Sequence, residues 1–246
     1  MTPHLRKLLF ETLYRNKYLY RFASTVPFAG QWRIWQRQVL PRLRGHDVLE
    51  VGCGLGDLLA DMLAVGYTCH AVEHSPQMVE AARETLRKRH LGSPGLIIQG
   101  SAQVLPFSDN SFDCVVSTFP SEYIYDLDTI AEIERVLRHE GRLIVVEGAN
   151  LLPIGLFQPI LLFLQMLVYG PTTIFGRHTT DGSRQRNPRR GIVSADEQTS
   201  GRVTSETLEH ASFGQQIPLE PAGLHRRSEI ARSQRWEIYI TIGEKL

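Results

Sequence analysis

The stretch Val48-Leu49-Glu50-Val51-Gly52-Cys53-Gly54-Leu55-Gly56-Asp57 decides the fold. Asp47 to Val51 reads as a short strand that runs into a glycine turn. A helix follows to about Val65, with Gly66 as its left-handed cap. Without Cβ atoms, such a turn lets backbone come close to a ligand. In open α/β sheets that ligand lies beyond the carboxyl ends of the strands. Dinucleotide enzymes use a related turn, but their fingerprint wants a small residue where Asp57 stands. Glu50, inside the strand end, also suits a ligand with a cationic amine better than a pyrophosphate.

Working outward, strands and helices alternate. Cys69–Glu73 is a second strand. Ser75-Pro76 is an N-cap followed by proline at the first helical position, opening a helix to roughly His90. Gly95–Gln99 and Phe112–Thr118 are further strands. Asp128 is expected to cap a helix with the apolar stripe Ile130, Ile133, Val136 and Leu137. Gly141 would end it before a fifth strand, Arg142–Glu147. Trp236, Ile238, Ile240 and Ile242 share one face of a terminal strand. Strands alternating with helices imply right-handed βαβ units and a mainly parallel sheet. Upstream, 1–45 reads as a helical cap, with one helix broken at Pro27 and Gly30 and another over Gln31–Val39 that Pro41 ends. The domain proper is 46–246, with an apolar and loop insertion at about 149–215.

Glu73 lies 17 residues after Gly56 at a strand end, where a carboxylate can accept hydrogen bonds from both ribose hydroxyls. With Val48–Glu84 read in full, the chain resembles the class I methyltransferases, in particular the type 11 group. Gly100–Phe107 followed by Phe112–Val116, and Val136–Leu143, resemble two further blocks of that group. The resemblance covers about 46–148. It implies a Rossmann-like, mainly parallel seven-stranded sheet with an antiparallel last strand and helices on both faces. It also implies S-adenosyl-L-methionine as cofactor. On this likeness Glu50 and the turn Gly52, Cys53, Gly54 and Gly56 would hold the methionine moiety. Glu73, with His74 beside it, would hold the ribose. Met78, Ser101, Ala102 and Gln103 would surround the adenine, and Thr118 and Phe119 would line the methyl group. Most relatives have Asp where Ser101 stands, so the contact to the exocyclic amine falls to a hydroxyl or backbone group.

Methyl transfer from a sulfonium needs no catalytic side chain unless the acceptor must lose a proton. Candidate bases near strand ends are Glu122, Tyr123, His74 and Glu147. The acceptor is expected to be a small, lipophilic molecule. A non-catalytic S-adenosylmethionine-binding regulatory or assembly protein is the alternative. Net charge is +1, and Thr118-Phe119-Pro120-Ser121 replaces the motif of base N-methyltransferases, so no nucleic-acid partner is expected. Residues 1–45 carry nine Lys/Arg against one acid, Glu11. That segment meets something negative or faces an acidic part of its own domain. Basic and aromatic residues in 1–40 and the uncharged run 151–170 fit either elements that cover the cofactor pocket or peripheral membrane contact. Arg177–Arg202 reads as a polar loop or lid. Three scattered cysteines and no secretory pattern fit a reducing cytoplasm. His70 and His74 straddle a strand and its turn, so no metal site is read. The sequence is silent on oligomeric state.

Overall fold

The computed structural model describes residues 31–92, 94–151, 216–233 and 236–246. The basic helix expected within 1–30, the apolar run beyond 151 and the polar loop 177–202 lie outside the described residues. What is described of the N-terminal segment is α1 (Trp32–Gln36), continued by a 3-10 helix over Arg37–Arg42. Pro41 does not end this helix, as the sequence suggested; it sits inside the 3-10 turn. Its fixed φ is already helical, and the tighter turn closes with Leu43 N–H donating to Leu40 O at 3.4 Å.

The elements that follow are β1 (Asp47–Val51), α2 (Asp57–Ala64), β2 (Thr68–Glu73), α3 (Pro76–Lys88), β3 (Ile97–Gln99), β4 (Phe112–Thr118), α4 (Leu127–Val136), β5 (Leu137–Leu151), β6 (Leu224–Ser233) and β7 (Trp236–Lys245). They build one seven-stranded sheet in the order β3-β2-β1-β4-β5-β7-β6. Neighbours from β3 to β5 are parallel, while β7 runs antiparallel to both β5 and β6. Six strands therefore point one way and the last points against them. The strand order reverses between β1 and β4. In such sheets the crevice outside the carboxyl ends at that reversal is where ligands bind.

Local chemistry explains the element ends. α2 stops in a Schellman arrangement: Gly66 N–H donates to Leu63 O at 3.1 Å and Tyr67 N–H to Met62 O at 3.1 Å. α3 opens with Ser75 accepting from Met78 N–H at 3.4 Å and with Pro76 at its first position. The cap of α4 is Asp126 and not Asp128, because the Asp126 carboxylate accepts the Asp128 N–H at 3.1 Å. Gly141 ends no helix either. α4 finishes at Val136, and residues 138–141 are extra residues on β5 between the pairs Leu137–Phe112 and Arg142–Cys114.

Alternation along the strands splits the core in two. Val48, Val116, Ile144 and Val146 join Trp35 and the buried faces of α2 and α3 on one side. Leu49, Val51, Val115, Leu143 and Val145 join Ile130, Ile133 and Val136 of α4 on the other. Burying each of those α4 side chains contributes about 1.5–3 kcal/mol, an upper range for the smaller valine. Trp236, Ile238, Ile240 and Ile242 all fall in the first cluster, as the period-two pattern requires. The basic residues of the described N-terminal segment face acids of their own domain. Arg33 and Arg37 reach Asp61, and Arg42 reaches Glu229. Among the described residues no helix is long and apolar enough to cross a membrane.

Candidate functional site

The glycine turn after β1 forms the floor of the crevice. Gly52, Gly54 and Gly56 all have positive φ, at 77°, 52° and 73°. At two of them space is as restrictive as conformation. A Cβ on Gly52 would stand 2.5 Å from the Tyr123 hydroxyl, and one on Gly56 would stand 2.9 Å from Ala82 Cβ on α3. Two backbone bonds hold the turn: Gly52 N–H to Val72 O and Gly56 N–H to Cys53 O, both at 2.8 Å. Cys53 is buried within it, and burial pushes its thiol up.

Glu50 lies at the end of β1 and is 1% exposed, yet neither carboxylate oxygen has a hydrogen-bond partner. Burial, then the nearby charges of Glu73 and Asp57, push this carboxyl well above its ordinary range. The Leu59 N–H in the first turn of α2 offsets this slightly without bonding either oxygen. An acid so placed lacks a cation. Glu73, one strand over, is half-buried and bound on both oxygens: Gly54 N–H donates to one at 3.0 Å and Ser75 N–H to the other at 2.9 Å. The β2 acid thus ties the glycine turn to the start of α3.

The end of β4 brings in another set of candidates. Thr118 is buried and its hydroxyl accepts from Gln36 Nε2 at 3.2 Å. Phe119 has φ 51°, donates its N–H to Val146 O at 2.7 Å, and stacks on Trp32 with ring centroids 4.1 Å apart. Trp35 continues the aromatic packing to Trp236 at 4.6 Å. Gln36 gives no signal in the sequence, and Trp32 stands there only among the basic and aromatic residues of 1–40; the placement of α1 brings both to the end of β4. The Tyr123 hydroxyl donates to Val51 O at 3.1 Å and lies 2.8 Å from Ser117 Oγ, which itself donates to Val51 O at 3.0 Å. Ser117 follows the buried run Cys114-Val115-Val116 and is itself fully buried, and a polar residue continuing such a run could have marked it.

Beyond β3, Gly100 N–H donates to Glu73 O at 3.1 Å, which places Ser101 near the end of β2. The Ser101 hydroxyl is bonded to the Gln103 side-chain carbonyl, whose amide donates to Asp126 at 3.1 Å. Ala102 is buried beside the α4 core, and Met78 is fully buried in the first turn of α3. His74 and Glu122 are exposed. Among the described residues no group of three or more His, Cys, Asp or Glu is arranged to hold a metal.

The family model described as a methyltransferase domain matches residues 49–145, which contain the glycine turn and both strand-end acids. Over that region the chain is similar to the class I methyltransferase domain of the type 11 group. Over 140 residues it is 38% identical to a ubiquinone/menaquinone biosynthesis C-methyltransferase (UbiE) of Haemophilus ducreyi, covering 53% of this chain and 52% of that protein. It is 31% identical over 149 residues to a demethylmenaquinone methyltransferase of Symbiobacterium thermophilum, covering 58% of each. The chain therefore spans about half the length of the curated relatives it matches. In fold it is similar to a putative S-adenosyl-L-methionine-dependent methyltransferase of Methanococcus maripaludis, with a TM-score of 0.58 at 18% identity over 95% of this chain and 94% of that one. It is also similar to the PH0226 protein of Pyrococcus horikoshii, with a TM-score of 0.52 at 17% identity over 92% and 96%.

The cofactor implied by this methyltransferase domain is S-adenosylmethionine. The residues present fit it. A buried carboxylate without a partner answers an amino group, a Cβ-free turn answers a ligand pressed against backbone, and the next strand ends in a second acid.

Proposed function

We propose that the protein is an S-adenosylmethionine-dependent methyltransferase acting on a small, lipophilic acceptor of quinone type. The observation that carries this reading is the Glu50 carboxylate, buried at the glycine turn with both oxygens unpartnered. An isolated buried charge is costly unless something pairs with it. The ammonium of the methionine moiety is such a partner. Glu50 with the backbone of Gly52, Cys53, Gly54 and Gly56 holds the methionine end, and Glu73 takes the ribose hydroxyls. Met78, Ser101, Ala102 and Gln103 lie about the adenine, and Thr118 and Phe119 flank the methyl group. S-adenosylmethionine supplies an electrophilic methyl carbon; the chain aligns the acceptor and keeps water out. The names of the relatives support a quinone-type acceptor. The aromatic packing of Trp32 on Phe119 supports it too, since a flat ring is favoured beside such faces.

Calorimetric titration with S-adenosylhomocysteine and, separately, with NADH tests the cofactor. Only the former is expected to bind. Glu73→Ala should weaken that binding tenfold or more, since charge-assisted hydrogen bonds contribute about 1.5–3 kcal/mol each. Unchanged affinity in the variant would remove the ribose assignment. Labelled S-adenosylmethionine with a panel of prenylated quinols then tests the acceptor.

A further inference from the structure

A third acid, Glu147, stands at the carboxyl ends of the central strands, on the opposite face from Glu50. Thr118 pairs with Val146 in the β4–β5 register, and Phe119 N–H donates to Val146 O, so Glu147 follows directly on the residue that closes the end of β4. There the ladder breaks. Val146 pairs with Ile240 and Gly148 with Tyr239, and Glu147 is the unpaired residue between them. Such bulges re-aim a side chain and are over-represented next to active sites. Glu147 alternates with Leu143 and Val145, which face α4, and the Thr241 hydroxyl on β7 donates to its carboxylate. Burial pushes this carboxyl above its ordinary range, against the Thr241 hydrogen bond and the charge of Arg226 on β6. The Tyr125 hydroxyl, in the 3-10 turn before α4, is pushed up by burial and then by the Glu147 charge.

We propose that Glu147 is the general base of the reaction, taking the hydroxyl proton of a hydroxyaromatic acceptor as a carbon of its ring is methylated. The inference rests on the methyltransferase reading and narrows its substrate to acceptors that must ionise to react. A neutral phenolic ring is a weak carbon nucleophile. Moving the O–H proton to the Glu147 carboxylate leaves the O–H electron pair on the acceptor, shared with the ring. The ring carbon then forms a bond to the methyl group while the carbon–sulfur pair stays on sulfur. Loss of the ring C–H proton and return of one proton to oxygen restore the aromatic acceptor, and Glu147 gives its proton to solvent. The other sequence candidates are less suited: His74 and Glu122 are exposed, and the Tyr123 hydroxyl is already bonded to Val51 O and Ser117.

The test uses the full chain with a short-chain 2-prenyl-1,4-naphthoquinol, kept reduced, as acceptor. Glu147→Gln should lower kcat by about a hundredfold or more, the usual scale of proton-transfer catalysis. The Kd for S-adenosylhomocysteine should stay within about twofold, and the acid limb of the kcat/KM profile should disappear. Glu147→Asp should recover part of the rate. Thr241→Val removes a bond that favours the carboxylate, so it should move the acid limb to higher pH. A readout independent of turnover is the carbon-13 carboxyl spectrum of protein labelled at glutamate Cδ. The resonance missing in Glu147→Gln should titrate above ordinary carboxylates and should shift when 2-naphthol is added to the S-adenosylhomocysteine complex. A Glu147→Gln enzyme with wild-type kcat and an intact acid limb, or a resonance that 2-naphthol leaves unmoved, overturns the proposal. Should Glu147→Gln fail to fold, an unshifted acid limb in Thr241→Val overturns it equally. If wild type binds S-adenosylhomocysteine but methylates no hydroxyaromatic, this inference falls and the cofactor reading stands. If it binds no S-adenosylhomocysteine, the methyltransferase reading itself falls.

Discussion

Glu50 at the end of β1 and Asp61 in α2 are both nearly buried, at 1% and 7% exposure, and the chain treats them in opposite ways. Asp61 accepts from Arg33 at 2.6 Å, Arg37 at 2.7 Å and Arg89 at 2.9 Å, and Arg89 also reaches Asp57 at 2.8 Å. Glu50 has no hydrogen bond to either oxygen. Burial pushes both carboxyls upward. At Asp61 the hydrogen bonds from Arg37 and Arg33 outweigh it and the net direction is down, whereas at Glu50 the charges of Glu73 and Asp57 add to it. A charge buried for architecture carries its partners in the same chain. A charge buried for a ligand does not, and stays a local cost until the ligand arrives.

The largest effect expected from breaking this contrast is at Asp61. Asp61→Ala removes the shared acceptor of three guanidiniums and unfastens α1 from α2. Breaking a buried pair costs about 3–5 kcal/mol. Arg33 and Arg37 are 42% and 50% exposed, so solvent screening reduces this to about 2–3 kcal/mol in urea unfolding. The sign with pH follows from the lowered native pKa. The contribution is present above the unfolded value of about 4 and is lost as pH falls through the native value, so wild type and variant should converge in acid. A loss under about 1 kcal/mol at pH 7 would mean that the arginines stabilise α1 without Asp61.

Glu50→Gln sharpens the contrast because its sign is reversed. With a raised native pKa, the stability linked to Glu50 is present below the unfolded value of about 4.3 and lost as pH rises through the native one. The cofactor-free variant should therefore be more stable than wild type at pH 7 by about 1–2 kcal/mol, with the difference fading in acid. Its affinity for S-adenosylmethionine should fall by about 10- to 100-fold, the scale of a charge-assisted hydrogen bond. Stability and affinity moving in opposite directions is the signature of a charge reserved for a ligand. A variant less stable than wild type, with unchanged affinity, would make Glu50 structural.

The same contrast marks how far the sequence could be read. Strand ends, the glycine turn and the cap at Ser75 are local: each follows from a few neighbouring residues, and Glu50 and Glu73 could be singled out on spacing alone. The mainly parallel sheet follows from the alternation of strands and helices in the same way, but the order β3-β2-β1-β4-β5 does not. What escaped depends on residues far apart in the chain. Asp61 meets Arg33 and Arg89 across 28 residues in each direction, and Gln36 meets Thr118 across 82. The excess of positive charge in 1–45 pointed to a negative partner without saying which, and three of its arginines turned out to face Asp61 and Glu229. Boundaries failed where one side chain decides them. Asp126 and Asp128 are both good caps, and only the donor geometry selects Asp126.

The smallest effect is expected from Arg37→Ala, and it tests whether the Asp61 cluster is redundant. Arg37 is half-exposed, bonds Asp61 through Nε, and has its own pKa raised by that bond. Removing it leaves Asp61 with Arg33 and Arg89, so its carboxylate stays paired and the burial cost does not reappear. The loss should then be about 0.5–1 kcal/mol, in the range of exposed ion pairs, and should shrink in high salt. Combined with Asp61→Ala the two losses should not add, because Arg37 has nothing left to bond; the coupling energy in such a cycle should account for most of the single-variant effect. Full additivity would show that Arg37 acts through packing of its methylene stem on α2 and not through the shared acid.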